Sequence, residues 1–355
     1  MINVLVIGPS IHGMGGIAAV IRQHLEYGDW TGVNLLHLDT FENGSSLHKL
    51  LHFIAAIGRF VGLILSKKLD ILHVHTGGFP SSFLRKSVFV LLGKLAGKKV
   101  IFHSHNSDTF QRLSIARDVR FYFVKFVLSL CDAVIVLGEF YRPYVSNFVD
   151  VAKVTVVFNP CSAADKRVFS EHRKACQLLF LGELGNRKRI WDVLAAVQKV
   201  KQTFPQVRLI AGGNGELEKA RQMAKDYGIA DCVEFPGWVV GQDKQNLLLS
   251  STVYLLPSEA EALPMGIIEA MQCGLPVIAT PVGAVPEVIT NQVTGVLVAV
   301  GDIDGLAGAI IELLSSLTLR DRLAVNAIES VSEKFGMPLL SVQITSIYNK
   351  LLSSR

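Results

Sequence analysis

The sequence predicts an α/β chain built as two Rossmann-like, parallel-sheet domains in series. Three observations predict it. At 355 residues the chain is too long for one ordinary hydrophobic core. Half of its residues are hydrophobic and only 18% are charged, a balance that folds compactly. Short apolar runs alternate with helix-length segments along the whole chain, the pattern of βαβ repetition.

The elements follow in order. INVLVIG (2–8), VNLLHLD (33–39), ILHVH (71–75), KVIFHS (99–104), AVIVL (133–137) and VTVVF (154–158) read as strands. They are rich in β-branched residues and too continuously apolar for a sheet with one wet face. Helix-length segments such as IAAVIRQHLEY and RKSVFVLLGKLAG lie between them. The pattern breaks at SAADKRVFSEHRKA (162–175), a polar stretch that reads as a linker. It then restarts with QLLFLG (177–182), VRLIAGG (207–213), CVEFPG (232–237), VYLLP (253–257), PVIAT (276–280) and GVLVAV (295–300), and two helices follow in 302–335. The domains expected are 1–165 and 166–337. A last helix near 338–355 has no pattern that assigns it to either.

Composition narrows the function classes. The five cysteines are scattered without a close pair, which speaks against a zinc site or a disulfide frame and for a reducing compartment. The opening residues MINVLVIGPS lack a basic leader with a small-residue cleavage site, so no secretory signal is expected. The apolar stretch 47–68 carries Arg59 in its middle and His52 near its start. Its clean run falls short of the ~20 residues of a span, and it reads as a helix whose apolar side is buried or rests on lipid. Charge is uneven: residues 1–170 hold 18 Lys and Arg against 11 Asp and Glu, the remainder 17 against 19. A basic first half suits an anionic surface, a phospholipid or lipid pyrophosphate, and ordinary solvated lysines fit it equally. No nucleic-acid motif or row of stacking aromatics accompanies the charge, so nucleic acid is not an expected partner.

Ligands of open parallel sheets bind beyond the carboxyl ends of the strands, and unusual residues gather at those predicted ends. In SEAEALPMGIIEAMQCGLPVIAT (258–280), Pro264 is expected at the first position of a helix whose leading amides suit phosphate. Glu261 precedes that helix and Glu269 lies about 1.5 turns into it. Carboxylates repel phosphate, so both acids suit neutral sugar or ribose hydroxyls; a helix cap and a surface acid fit them too. Arg187, Lys188 and Arg189 follow another strand, where cations neutralise a diphosphate. Gly15-Gly16 follows the first strand and lets backbone approach a ligand, but G-x-G-x-x-G is absent, which ranks a dehydrogenase low. FHSHN places His103 and His105 on one side of a strand with Asn106 beyond them. As a metal pair they lack an evident third and fourth ligand.

The stretch PSEAEALPMGIIEAMQCGLPVIATPVGAVPEVITNQVTGVLV (257–298) resembles the signature of family 4 retaining glycosyltransferases with the GT-B fold. That signature has two glutamates with seven residues between, then EAM-x-x-G-x-P-V, then G-x-x-P-E-V. The likeness covers nearly the whole chain, taking in Gly15-Gly16, the FHS histidine, Asn159-Pro160, the RK cluster and Gly237–Val239. The resemblance implies two Rossmann-like domains facing a central cleft, with the final helix crossing back onto the first. It implies a hexosyltransferase that moves a sugar from a UDP- or GDP-linked donor to an acceptor hydroxyl, without cofactor or obligatory metal. Among site residues it implies Glu261 beside the transferred sugar, Glu269 on the ribose, Lys188 on the diphosphate, Gly16 (with Gly15) closing over the phosphates, and His103 at the sugar and acceptor oxygen. His105 and Asn106 are reserves, and Ala262, Leu263, Pro264 and Met265 line the donor side. Two departures stand out. Gly182-Glu183-Leu184 replaces Gly-Arg-Leu, with Arg187 as the substitute charge, and Ala262-Leu263-Pro264 replaces Gly-Phe-Gly.

The expected product is a cell-surface polysaccharide or lipid-linked glycan, made in the cytoplasm or at the inner membrane face. Two other classes remain at this stage. A GT-B nucleotide-sugar epimerase would convert donor without an acceptor, and a non-catalytic nucleotide-binding protein would bind it without turnover.

Overall fold

The computed structural model describes every residue except Met14, Asn43, Lys67, Lys68, Phe79, Asn106, Ser107, 161–172, Ser354 and Arg355. It divides into two units. The first comprises Met1–Ser162 with Phe335–Arg355, and the second Ala163–Lys334.

The first unit holds β1 (Ile2–Gly8), β2 (Val33–Asp39), β3 (Ile71–Thr76), β4 (Lys99–Ser104), β5 (Ala133–Val136) and β6 (Val154–Val156). They form one parallel sheet in the order β2-β1-β3-β4-β5-β6. Around it run α1 (Gly16–Tyr27), α2 (Ser46–Ser66), α3 (Ser81–Leu95), α4 (Asp108–Ala116), α5 (Val119–Ser129) and α6 (Arg142–Val145). A last helix, α14 (Met337–Ser353), packs beside α1. Alternation along the strands explains the core. Val4, Val6, Ile71, Ile101 and Ile135 share one buried cluster with Leu340, Ile344 and Tyr348 of α14.

The second unit holds β7 (Gln177–Leu181), β8 (Arg208–Gly212), β9 (Val233–Gly237), β10 (Val253–Leu256), β11 (Val277–Ala279) and β12 (Val296–Leu297), ordered β12-β11-β10-β7-β8-β9. Its helices are α7 (Ile190–Thr203), α8 (Leu217–Asp226), α9 (Gly241–Ser250), α10 (Met265–Gln272), α11 (Val285–Val288), α12 (Ile303–Ser315) and α13 (Leu317–Phe335). Strand order reverses between β1 and β3 in one sheet and between β7 and β10 in the other. Those two switch points open crevices at the strands' carboxyl ends.

All twelve expected strands form, and four sequence expectations need correction. GVLVAV shortens to the two residues of β12, because β12 is an edge whose only ladder partner among the described residues, β11, is itself three residues long. The described end of the supposed linker is part of the second unit's frame. Arg173 is buried and its guanidinium donates to the carbonyls of Leu248, Leu249, Ser251 and Cys273, closing the ends of α9 and α10. The rest of that linker lies outside the described residues. Pro264 is the N-cap of α10 rather than its first residue; its extended ψ of 116° sets the helix start at Met265. Finally, Ser46–Leu65 within α2 has a mean hydropathy of 1.5 over a length sufficient to cross a membrane, by length and composition only. Arg59 within it pairs with Asp39 at 2.9 Å. On one side Ala56 and Phe60 are buried, and Phe60 meets Phe89 of α3 edge-on.

Candidate active site

The second unit's site begins where β7 ends. Gly182 to Leu184 and Gly212 to Gly215 are stitched together by backbone: the Gly182 amide donates to Gly212, Leu184 to Asn214, and Glu216 to Leu184. Gly213 has φ +158°, and a Cβ there would stand 1.7 Å from the Gly182 carbonyl oxygen, so only glycine allows this approach. The strapped turn carries the basic cluster, in which Arg187 and Lys188 face Glu261 and Arg189 turns to its own helix. Arg189 adopts a left-handed conformation at the start of α7 and pairs with Asp192 at 2.5 Å. Half-exposed Arg187 reaches Glu183 at 3.3 Å and stands 4.0 Å from Glu261. Lys188 ion-pairs with Glu261.

Glu261 comes from the neighbouring side of the switch point, after β10. It is 7% exposed, and the Ser258 hydroxyl donates to its Oε1 at 2.6 Å, the oxygen that also faces Lys188. The loop is pinned by the Glu259 amide on the Arg187 carbonyl and the Ala284 amide on Ala262. Leu263, Pro264 and Met265 are buried, so what they offer a ligand is backbone at the head of α10. Glu269, one turn on, meets Lys244 of α9 at 2.5 Å. Lys244 was not singled out in the sequence; it sits on a polar helix and looks like an ordinary surface lysine. Between the two acids stands Tyr254, buried, its hydroxyl donating to the Leu181 carbonyl at 3.2 Å. Burial first, then Glu269 and Glu261, push its phenol far above the usual value. A Cβ on Gly266 would fall 2.2 Å from that hydroxyl, which lets α10 start against Tyr254.

The first unit's switch point carries Gly15, Gly16 and a group of histidines. Gly15 is the N-cap of α1 with φ +120°, and neither glycine's Cβ would meet anything within 4 Å, so the turn is open to a ligand. Ile17 lies beside Gly77 after β3. In the β3–β4 ladder His75 pairs with His103, which puts His73, His75, His103 and His105 on one face. It is the face whose amino-terminal half carries Ile71 and Ile101 in the core. His73 Nε2 and His103 Nδ1 are 3.1 Å apart, and His75 Nδ1 and His105 Nε2 are 2.9 Å apart. His73 Nδ1 meets the Tyr348 hydroxyl of α14 at 2.7 Å. His24 of α1 meets the His75 ring edge-on at 5.8 Å.

His73 and His75 are the third and fourth imidazoles that the sequence left out, and ligand atoms of His73, His75 and His103 lie within 4.8 Å of one another. The signal available beforehand was H-x-H repeated on two adjacent strands. His73, however, spends both nitrogens on Tyr348 and His103, so the group reads first as a hydrogen-bonded chain. Burial is the main cause that keeps every ring neutral. It lowers His24 to about 4 and His105 to about 3, and holds His73, His75 and His103 well below the usual range, with the neighbouring histidines adding to the effect. Nε2 of His75 and Nε2 of His103 are buried and make no hydrogen bond among the described residues. Asn106 lies outside the described residues.

Two family models match this chain: glycosyltransferase family 4 over residues 22–164, and glycosyl transferases group 1 over 163–330. N-acetyl-alpha-D-glucosaminyl L-malate synthase of Bacillus anthracis is 34% identical over 209 residues, 59% of this chain and 53% of that protein. A phosphatidyl-myo-inositol mannosyltransferase of Mycolicibacterium smegmatis is 31% identical over 58% of this chain and 50% of its own length. The chain thus spans about half the length of these relatives. Among solved structures, Anabaena HepE in complex with UDP-glucose superposes with a TM-score of 0.76 at 18% identity, covering 100% of both chains. The fold is GT-B.

Proposed function

The chain belongs to glycosyltransferase family 4, and on that premise we propose that it moves one sugar from a nucleotide diphosphate to an acceptor hydroxyl with retained anomeric configuration. The observation that carries this reading is the Lys188–Glu261 pair at the β7/β10 switch point, set beside the head of α10. A departing diphosphate develops negative charge, which Lys188, Arg187 and the leading amides of α10 oppose from fixed positions. Once Lys188 turns to the diphosphate, the Glu261 carboxylate is released to accept from a sugar hydroxyl, and Glu269 accepts from the ribose. Gly15-Gly16 lends backbone to the phosphates, and His103 addresses an oxygen of the reacting sugar. In this reading the chain's own cations meet the leaving charge, and no cofactor or metal is required.

HepE was solved with UDP-glucose, which makes UDP-sugars the first donors to try, with GDP-sugars next. The test is transfer from such a donor to a glycan or lipid-linked acceptor, the product's anomeric centre read by NMR. Glu261→Ala and His103→Ala each lose transfer by orders of magnitude while folding is retained. Near-normal turnover in both, conversion of the donor sugar without an acceptor, or donor binding without turnover refutes it.

One observation favours a lipid-linked acceptor at an anionic inner membrane face. Leu47, Leu50, Leu51, Ile54, Val61 and Leu65 are exposed at helical spacing along α2, on a chain whose first half is basic. One relative is named for a phosphatidylinositol acceptor. Salt-sensitive co-sedimentation with anionic liposomes is expected, and no binding at low salt removes the idea.

A further inference from the structure

We infer that Tyr348 and His73 form a positioning chain that fixes His103 as a hydrogen-bond donor, with its proton on Nε2. The inference rests on the proposal that His103 addresses an oxygen of the reacting sugar, and adds how the ring is set for that task.

The argument starts at the buried end. Tyr348 is 1% exposed, and its hydroxyl has a single hydrogen-bond partner among the described residues, His73 Nδ1 at 2.7 Å. Around it lie Leu340 and Ile344 of its own helix and the Trp30 ring, none of which accepts a hydrogen bond from it. A buried O–H that gives its proton to nothing is costly, so Tyr348 must donate and His73 Nδ1 must accept. A neutral imidazole that accepts at Nδ1 carries its proton on Nε2. His73 Nε2–H then donates to His103 Nδ1 across 3.1 Å. By the same rule His103 carries its proton on Nε2. That atom is buried and has no partner among the described residues.

Either polarity leaves one donor unpaired among the described residues. With His103 Nδ1–H donating to His73 and His73 to the phenol oxygen, it is the Tyr348 O–H, sealed among Leu340, Ile344 and Trp30; in the other direction it is His103 Nε2–H, at the carboxyl end of β4, where a ligand oxygen can accept it. The second direction is the one that substrate binding completes. His103 offers a proton to an oxygen and does not offer a lone pair to a hydroxyl, so it stabilises negative charge on the oxygen it faces instead of deprotonating the acceptor. His73 and Tyr348 act through it and are positioning residues. Burial keeps both rings neutral, so the polarity survives at neutral pH.

The test reads tautomers directly. Long-range proton–nitrogen spectra of the 15N-histidine-labelled protein, assigned with His103→Gln and His73→Gln, are expected to show Nε2–H at both rings. Nδ1–H at either ring overturns the inference without any functional variant. Tyr348→Phe removes the first donor. Expected are a mixed His103 tautomer and a kcat lowered on the order of tenfold to a hundredfold, with donor KM within about twofold. An unchanged tautomer and unchanged kcat overturn the inference. His103→Ala separates the two layers: if it transfers normally the functional reading fails, whereas a dead His103→Ala beside an unaffected Tyr348→Phe sinks the positioning chain alone.

Discussion

Lowering the pH from 7 to 5 is expected to destabilise the first unit and leave the second nearly untouched. The perturbed groups are the buried histidines. An unfolded histidine titrates near 6.5, while folded His24 and His105 are held at about 4 and about 3 by burial. Their folded values are depressed, so the associated stability is complete above about pH 6.5. It is lost as pH falls toward the folded values, because the unfolded chain takes up protons that the fold refuses. Each histidine kept neutral at pH 5 forfeits about 2 kcal/mol relative to pH 7, so these two together forfeit about 4 kcal/mol. His73, His75 and His103 shift the same way and add to the loss. With a urea slope of about 2 kcal/mol per molar, the midpoint should fall by about 2 M. Trp30 is a local reporter: its indole N–H donates to the His24 carbonyl at 2.6 Å, and its ring lies 6.5 Å from Tyr348. The other two tryptophans, Trp191 and Trp238, belong to the second unit. The assay is urea unfolding of the Trp191→Phe/Trp238→Phe protein followed by Trp30 fluorescence at both pH values. A first-unit midpoint that stays in place at pH 5 refutes the reasoning, because it means the rings are already charged, or hydrated, in the fold.

Other outcomes follow from single contacts. Lys188→Met should raise donor KM and destabilise the second unit by roughly 3 kcal/mol, since it takes the facing cation away from the buried Glu261 carboxylate; calorimetry with donor titration measures both. Arg187→Ala should raise donor KM and lower kcat only modestly, because Glu183 already offsets part of its charge; wholly unchanged kinetics remove it from the site. Gly213→Ala should lower thermal stability markedly, because the added methyl lands on the Gly182 carbonyl, and an unshifted melting temperature contradicts the strapped turn.

The central strands were readable because parallel strands covered on both faces need unbroken apolar sequence, as INVLVIG, AVIV and VYLL supply; the edge strands VNLLHLD and VEFPG, polar in part, were legible from their place in the alternation. What the sequence lacked was register. ILHVH looks like a strand whether or not its histidines meet anything, and only the β3–β4 ladder sets them beside FHSH. Tyr348 stands 275 positions from His73 with no local pattern that ties them together. Lys188 and Glu261 were legible because family motifs mark both. The Lys244–Glu269 pair was half legible, since only the glutamate belongs to a motif. Arg173 was misread because a buried guanidinium serving carbonyls looks, in one dimension, like any polar linker residue.

The place of α14 has a consequence for how the molecule is made. Leu340, Ile344 and Tyr348 complete a cluster whose other members, from Val4 to Val157, leave the ribosome long before them. The N-terminal sheet can pair its strands early but cannot seal its interior until α14 has been translated. The second unit is contiguous and has everything it needs by Lys334. Synthesis therefore favours an order in which the later-encoded half matures first, and the nascent first half waits, with an apolar flank bare, for the final helix.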